Sequence, residues 1–275
     1  LNSKTRPLFP NDIVKQVVSP KLDSNKKLCL LVVDCMRLDH FKSIMPLLDP
    51  FFEIDLKYTF SLLPSATQYS RNAIFCGMFP DDMVKHYPRQ ALDMESELSS
   101  LNQHENFFLV DNLKRLGFEK KSIHYHKIWA VEEGKKFQNR LSDYAKKDLI
   151  SIVVNFVDIL AHKSAQMDIL KELVPDEKGY RMAVRSWFEQ SWLFAVLKYL
   201  GKNGWSVILT SDHGSIRVNK DIMVSADRDA SSGIRYKYGR NLNTKNKNAL
   251  VVKNPEKYRL PILGPQFNYL IAKDD

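Results

Sequence analysis

The chain has 275 residues, 44% of them hydrophobic and 11% aromatic, and a formal charge of +9; that is length enough for one large α/β domain or two small ones around a sizeable core. Nothing approaches the roughly 18 consecutive apolar residues a membrane span needs, and the N-terminus has no charged-then-apolar export signal. The positive charge suits polyanionic partners such as phosphate esters, nucleotides or nucleic acid, or else lysines spread over a solvated surface. Cys29, Cys35 and Cys76 are an odd number without a C-x-x-C pair, so reduced buried thiols and a cytoplasmic location are expected. A first residue of Leu rather than Met suggests a fragment of a longer protein.

Residues 1–25 carry three prolines and little periodicity, and read as a linker or short capping segment. Leu28-Cys29-Leu30-Leu31-Val32-Val33 is uniformly apolar, as a parallel strand buried on both faces should be. It ends at Asp34, and helical spacing follows through Leu38, Phe41, Ile44 and Leu48. A second strand is expected over Ile54 to Phe60. Pro64-Ser65-Ala66-Thr67 then leads into a helix over Gln68 to Phe75, closed by Gly77. Residues 80–104 look like an irregular surface insertion, and Glu105 to Leu116 like an amphipathic helix stopped by Gly117. His124 and His126 alternate on one face of a further strand.

The second half repeats the alternation. Ile150 to Val157 reads as a strand, followed by a helix through His162 to Leu173. Asp176 to Leu200 reads as one long helix burying Trp187, Phe188, Trp192 and Leu193. Trp205 to Thr210 is an apolar strand ending at Ser211-Asp212-His213-Gly214. Strands alternating with helices imply an α/β fold, a mostly parallel central sheet with helices on both faces.

Three of these strands end in potential ligands: Asp34, Asp158 and Asp212-His213. Open α/β sheets bind ligands outside the carboxyl ends of their strands, so a parallel sheet would gather these groups at one edge. Asp158 and His162 are four apart and share one helix face. Gly214 lets the backbone turn tightly beside Asp212 and His213. Carboxylates with imidazoles suit Zn²⁺, and a carboxylate-rich site also suits Mn²⁺. Thr67 would open its helix, where free N–H groups and the dipole attract phosphate. A nearby cation would lower the pKa of its hydroxyl and make it a competent nucleophile. Taken singly, each piece also has an ordinary reading as a helix cap or a solvated pair.

Together the motifs resemble the alkaline phosphatase superfamily, and within it the PglZ branch. Leu31-Val32-Val33-Asp34-Cys35-Met36-Arg37-Leu38-Asp39 resembles the branch's opening strand and metal-binding Asp, and Leu63-Pro64-Ser65-Ala66-Thr67-Gln68-Tyr69-Ser70-Arg71 its nucleophile segment. Val157 to His162 and Thr210 to Gly214 are similar to the remaining metal motifs, and Ser232 to Arg240 to the basic motif after them. The likeness runs from about Lys26 to the end, and is nearest to the C-terminal effector domain of PorX-type response regulators, which control type IX secretion. It implies two zinc ions: one held by Asp34, Asp212 and His213 beside a nucleophilic Thr67, the other by Asp158 and His162. Arg235, Lys237 and Arg240 would neutralise substrate oxygens or track a polyanionic backbone. The family's second metal takes a third ligand from a late histidine, and no His follows His213; that ligand is expected beyond Asp275, leaving the second site incomplete.

The resemblance therefore implies a zinc-dependent phosphodiesterase acting on nucleotides or oligonucleotides. Sulfatases need a modifiable Cys or Ser and a proline that Thr67-Gln68-Tyr69-Ser70-Arg71 lacks. The alternative from another class is a regulatory, transcription-control module with a structural or degenerate metal site. Without a helix-turn-helix signature or a basic recognition helix, such a module would sooner contact a transcription factor than read DNA.

Overall fold

The computed structural model describes residues 6–24, 26–95, 102–166, 172, 174–218, 220–228, 230, 231, 235–262, 264 and 266–273. A four-stranded, all-parallel sheet in the order β2-β3-β1-β4 forms its centre, from β1 (Leu28–Val33), β2 (Ile123–Ile128), β3 (Leu149–Val154) and β4 (Ser206–Thr210). The two central strands read Leu-Cys-Leu-Leu-Val-Val and Leu-Ile-Ser-Ile-Val-Val, and every residue in them is buried. Such continuous apolar runs are what a strand covered on both faces requires. Leu28 pairs with Leu149 on one side and Ser206 on the other, so the strands end nearly level and their following loops meet at one rim.

The period of two divides the core. Leu28, Leu30 and Val32 face one apolar cluster, Cys29, Leu31 and Val33 the other. The first face is covered by α3 (Thr67–Cys76) and α6 (Glu105–Arg115), through Ile74, Phe75, Phe108, Leu109 and Leu113. The N-terminal stretch joins it: a helical run from Pro10 to Asp23, ending in α1 (Ser19–Asp23), buries Val14, Val18 and Leu22 completely. The second face carries α2 (Leu38–Leu48), α7 (Val131–Asn139), α8 (Phe156–Gln166), α9 (Glu177–Gln190) and α10 (Trp192–Lys202). A smaller antiparallel sheet, ordered β5-β7-β6, is built from β5 (Tyr236–Arg240), β6 (Ala249–Val252) and β7 (Phe267–Ala272). It packs its tyrosines against α3, with the Tyr69 and Tyr236 rings 5.9 Å apart. This is the α/β architecture expected from the alternation. Among the described residues no helix is long and apolar enough to cross a membrane.

Several elements differ from the sequence expectation. Ile54 to Phe60 is not a ladder strand: among the described residues it bridges once, Thr59 to Leu8. Residues 80–104 are not wholly irregular, because α4 (Pro80–His86) and α5 (Pro88–Glu95) form there, each opened by a proline whose missing N–H costs a first turn nothing. The expected helix over 176–200 is two. Ser191 adopts extended backbone, ends α9 and caps α10 by accepting the Phe194 N–H at 3.2 Å. The helix expected through His162 to Leu173 is described to Gln166; residues 167–171 and 173, like residues 96–101 and Ser232-Gly233-Ile234, lie outside the described residues.

Candidate functional site

The rim of the central sheet is tied together by backbone before any side chain meets a ligand. Asp34 follows β1, and its N–H donates to the Val154 carbonyl at 2.9 Å. Cys35 then takes a left-handed conformation, φ 63°, which is uncommon outside glycine and clusters at functional turns. The turn presents the Cys35 N–H to Asp212 Oδ1 at 3.2 Å, and the His213 N–H reaches the same oxygen at 2.9 Å. Ser211 accepts the Met36 N–H at 3.0 Å and donates to the His213 carbonyl at 2.7 Å. The ends of β1 and β4 are thereby locked, although the two motifs stand some 180 positions apart.

Thr67 enters from α3. It occupies the first turn after Ala66, whose extended backbone starts the helix, and Gly77 in the left-handed region (φ 68°) ends it. The Thr67 hydroxyl lies 2.8 Å from His213 Nε2. His213 Nδ1 lies 2.9 Å from the Gly214 carbonyl, which can only accept, so Nδ1 carries the proton. In the neutral ring Nε2 is then the lone-pair nitrogen, aimed at Thr67 and the carboxylates.

Ligand atoms from Asp34, Asp212 and His213 all lie within 4.8 Å of one another. His213 Nε2 is 3.5 Å from Asp34 Oδ1 and 3.9 Å from Asp212 Oδ2. Those two carboxylate oxygens are buried and accept no hydrogen bond, an expensive state for charged atoms unless something cationic answers them. Two hard oxygens and an imidazole nitrogen with its other nitrogen pinned to a carbonyl make a donor set for a divalent ion. The residues present therefore fit the expected metal. Burial, and then the neighbouring Asp34 charge, push the Asp212 carboxyl above its usual range.

Asp158 stands beside this cluster. Burial first, and then Asp34, raise its pKa, but its oxygens are not part of the close group. It pairs instead with His162, Oδ1 to Nε2 at 3.5 Å, and the His162 side chain is 68% exposed. Four of the predicted residues, Asp34, Thr67, Asp212 and His213, are thus gathered, with Asp158 and His162 one step outside. Of the basic trio, Lys237 donates to the Ser231 carbonyl at 3.0 Å and Arg240 lies over the Phe267 ring, while half-buried Arg235 keeps one guanidinium nitrogen unbonded. His124 and His126 share a face as their alternation suggests, packed on Phe137 and Tyr144 at the sheet edge.

Sequence reasoning missed a second layer. Arg71, on α3 one turn beyond Thr67, is 2% exposed. It donates from Nη1 to Asp34 Oδ2 at 2.8 Å and to Asn155 Oδ1 at 3.3 Å. Its Nε lies 2.8 Å from Glu105 Oε1, and Glu105 also receives the Tyr125 hydroxyl. The four-residue spacing from Thr67 to Arg71 on one helix was the available signal. The family described as the BREX system PglZ alkaline phosphatase-like domain matches residues 13–271 of the chain. No curated protein matches it.

Proposed function

The chain belongs to the PglZ family of alkaline phosphatase-like domains, and on that premise we propose that it is a metal-dependent phosphodiesterase with Thr67 as its nucleophile. Family membership itself supports a hydrolase of the alkaline phosphatase superfamily acting on a phosphate ester. The carrying observation for the finer reading is the Thr67 hydroxyl 2.8 Å from His213 Nε2, beside two buried carboxylate oxygens that no protein donor satisfies.

Asp34, Asp212 and His213 would hold the ion, zinc in the first instance and manganese as the alternative. When bound it would polarise a phosphoryl oxygen and lower the pKa of the Thr67 hydroxyl. The remaining work belongs to the chain. The first turn of α3 holds the Thr67 oxygen where helix N–H groups and the dipole favour a phosphate. That oxygen gives up its proton and forms a bond to phosphorus as the bond to the leaving alcohol breaks, the alcohol departing with a proton; water then attacks the resulting phosphodiester of Thr67, which releases a phosphate monoester and restores the hydroxyl. Asp158 and His162 would offer a partial second site, and Arg235, Lys237 and Arg240 would meet a nucleotide or oligonucleotide. An effector role in a response regulator of type IX secretion is supported by the motif resemblance alone.

A second reading, a regulatory module with one structural ion, is favoured by the exposure of His162 outside the close cluster. Wild type and Thr67→Val, each loaded with Zn²⁺ or Mn²⁺ and assayed on bis(p-nitrophenyl) phosphate, separate the two. The phosphodiesterase reading expects turnover lost by at least about a thousandfold in Thr67→Val, since a missing nucleophile removes the main route. Equal inertness of both proteins with the ion bound selects the module.

A further inference from the structure

Arg71 is the most voluminous fully buried side chain among the described residues, yet the chemistry above does not call on it. It sits between carboxylates brought by three separate elements. Asp34 from the end of β1 takes its Nη1 at 2.8 Å, Glu105 from the first turn of α6 lies 2.8 Å from Nε, and Asp212 from the end of β4 lies 3.9 Å from Nε. All three acid side chains are at most 3% exposed. Behind them Lys127 Nζ stands 3.5 Å from Glu105. Three buried carboxyl groups therefore face two cationic side chains. Ionised carboxylates at this depth are unstable without a cation.

Building on the metal-centre reading above, we propose that Arg71 is the resident counter-ion of this centre, a positioning residue anchored by Glu105 that keeps the Asp34 and Asp212 carboxylates in place whenever the divalent cation is absent. The arrangement of the bonds supports it. Arg71 takes Asp34 Oδ2 and leaves Oδ1 unbonded, and the oxygen of Asp212 that it approaches without bonding is the one with no other donor. The guanidinium thus steadies the carboxylates from behind while leaving open the atoms that face His213. Because Arg71 and a bound cation answer the same negative charges, each should be worth less in the presence of the other.

The test is the coupling between mutation and metal. Thermal unfolding of wild type, Arg71→Met and Arg71→Lys is measured after chelation and again with saturating Zn²⁺. The metal-free midpoint of Arg71→Met should fall by at least about 6 °C, as expected when a buried ion pair loses one partner in a domain of this size. Zinc should then raise that midpoint by at least about 4 °C more than it raises wild type, and Arg71→Lys should lie nearer wild type on both measures. Equal zinc shifts in wild type and Arg71→Met, the mark of a merely structural arginine, would overturn the proposal, as would a smaller shift in the variant. If Arg71→Met cannot be recovered folded, the double variant Arg71→Met/Glu105→Gln decides. Removing anion with cation should restore a metal-free transition, and no restoration counts against the proposal. Absence of any zinc shift in wild type would instead sink the metal-centre reading, while the non-additivity of Arg71→Met and Glu105→Gln in metal-free protein still tests the counter-ion.

Discussion

Replacing Asp212 by Asn should make the metal-free protein more stable and its response to metal vanish. The Asp212 side chain is completely buried; Oδ1 accepts the Cys35 and His213 N–H groups, and Oδ2 accepts none. Asn keeps the accepting oxygen for both backbone donors and exchanges the orphaned, charged oxygen for an amide. Asp34, Asp212 and Glu105 outnumber the cations Arg71 and Lys127 that face them by one, and the substitution makes the two sets equal. An unsatisfied buried polar atom costs about 1–3 kcal/mol, more when charged. Allowing for imperfect amide geometry, a gain of about 1–2 kcal/mol is expected, which corresponds to a midpoint some 3–6 °C higher in a protein of this length. Differential scanning calorimetry with chelator, then with excess Zn²⁺ or Mn²⁺, reads both halves. A variant that melts lower without metal, yet is stabilised by metal as much as wild type, would refute both the strain at Asp212 and its place among the ligands.

Stability should also respond to acid through His40, which is fully buried with its ring edge-on to Tyr180, 4.6 Å between centroids. Burial, and then the Arg37 charge, lower its pKa to about 4. A histidine held neutral in the fold binds fewer protons than in the unfolded chain. Its stabilisation is therefore full above about pH 6.5 and is lost as pH falls towards 4, by about 2 kcal/mol between pH 7.5 and pH 5; urea unfolding should show a loss over that range smaller by about this amount in His40→Phe than in wild type. Gly134→Ala on α7 should cost at least about 3 kcal/mol or prevent folding, because a Cβ there would meet the Trp192 ring at 2.0 Å; unchanged denaturant midpoints would show that α7 and α10 do not dock this closely. Ser191→Ala removes the hydroxyl that caps α10 and should lower stability by about 1 kcal/mol, again read by chemical denaturation.

Much of the fold is local in origin. The runs at Leu28–Val33 and Leu149–Val154 announce strands buried on both faces because nothing polar interrupts them, and α3 carries its stop signal in Gly77. The acids Asp34 and Asp212 were visible as strand ends for the same reason. Shorter or edge elements were not legible. α4 and α5 have few turns in which to show a period, Ile54 to Phe60 has strand composition but among the described residues a single bridge, and one serine hydroxyl divides α9 from α10.

Residue types and strand order along the chain thus set the class of fold and singled out Asp34, Thr67, Asp158, His162, Asp212 and His213 as candidates for a site. The tertiary structure alone decided which of them meet. It seated Thr67 on His213, kept His162 in solvent, and placed Arg71 between Asp34 and Glu105. Apolar periodicity is a property of neighbours in sequence, whereas the balance of buried charge depends on distances between side chains that only packing brings within a few ångströms.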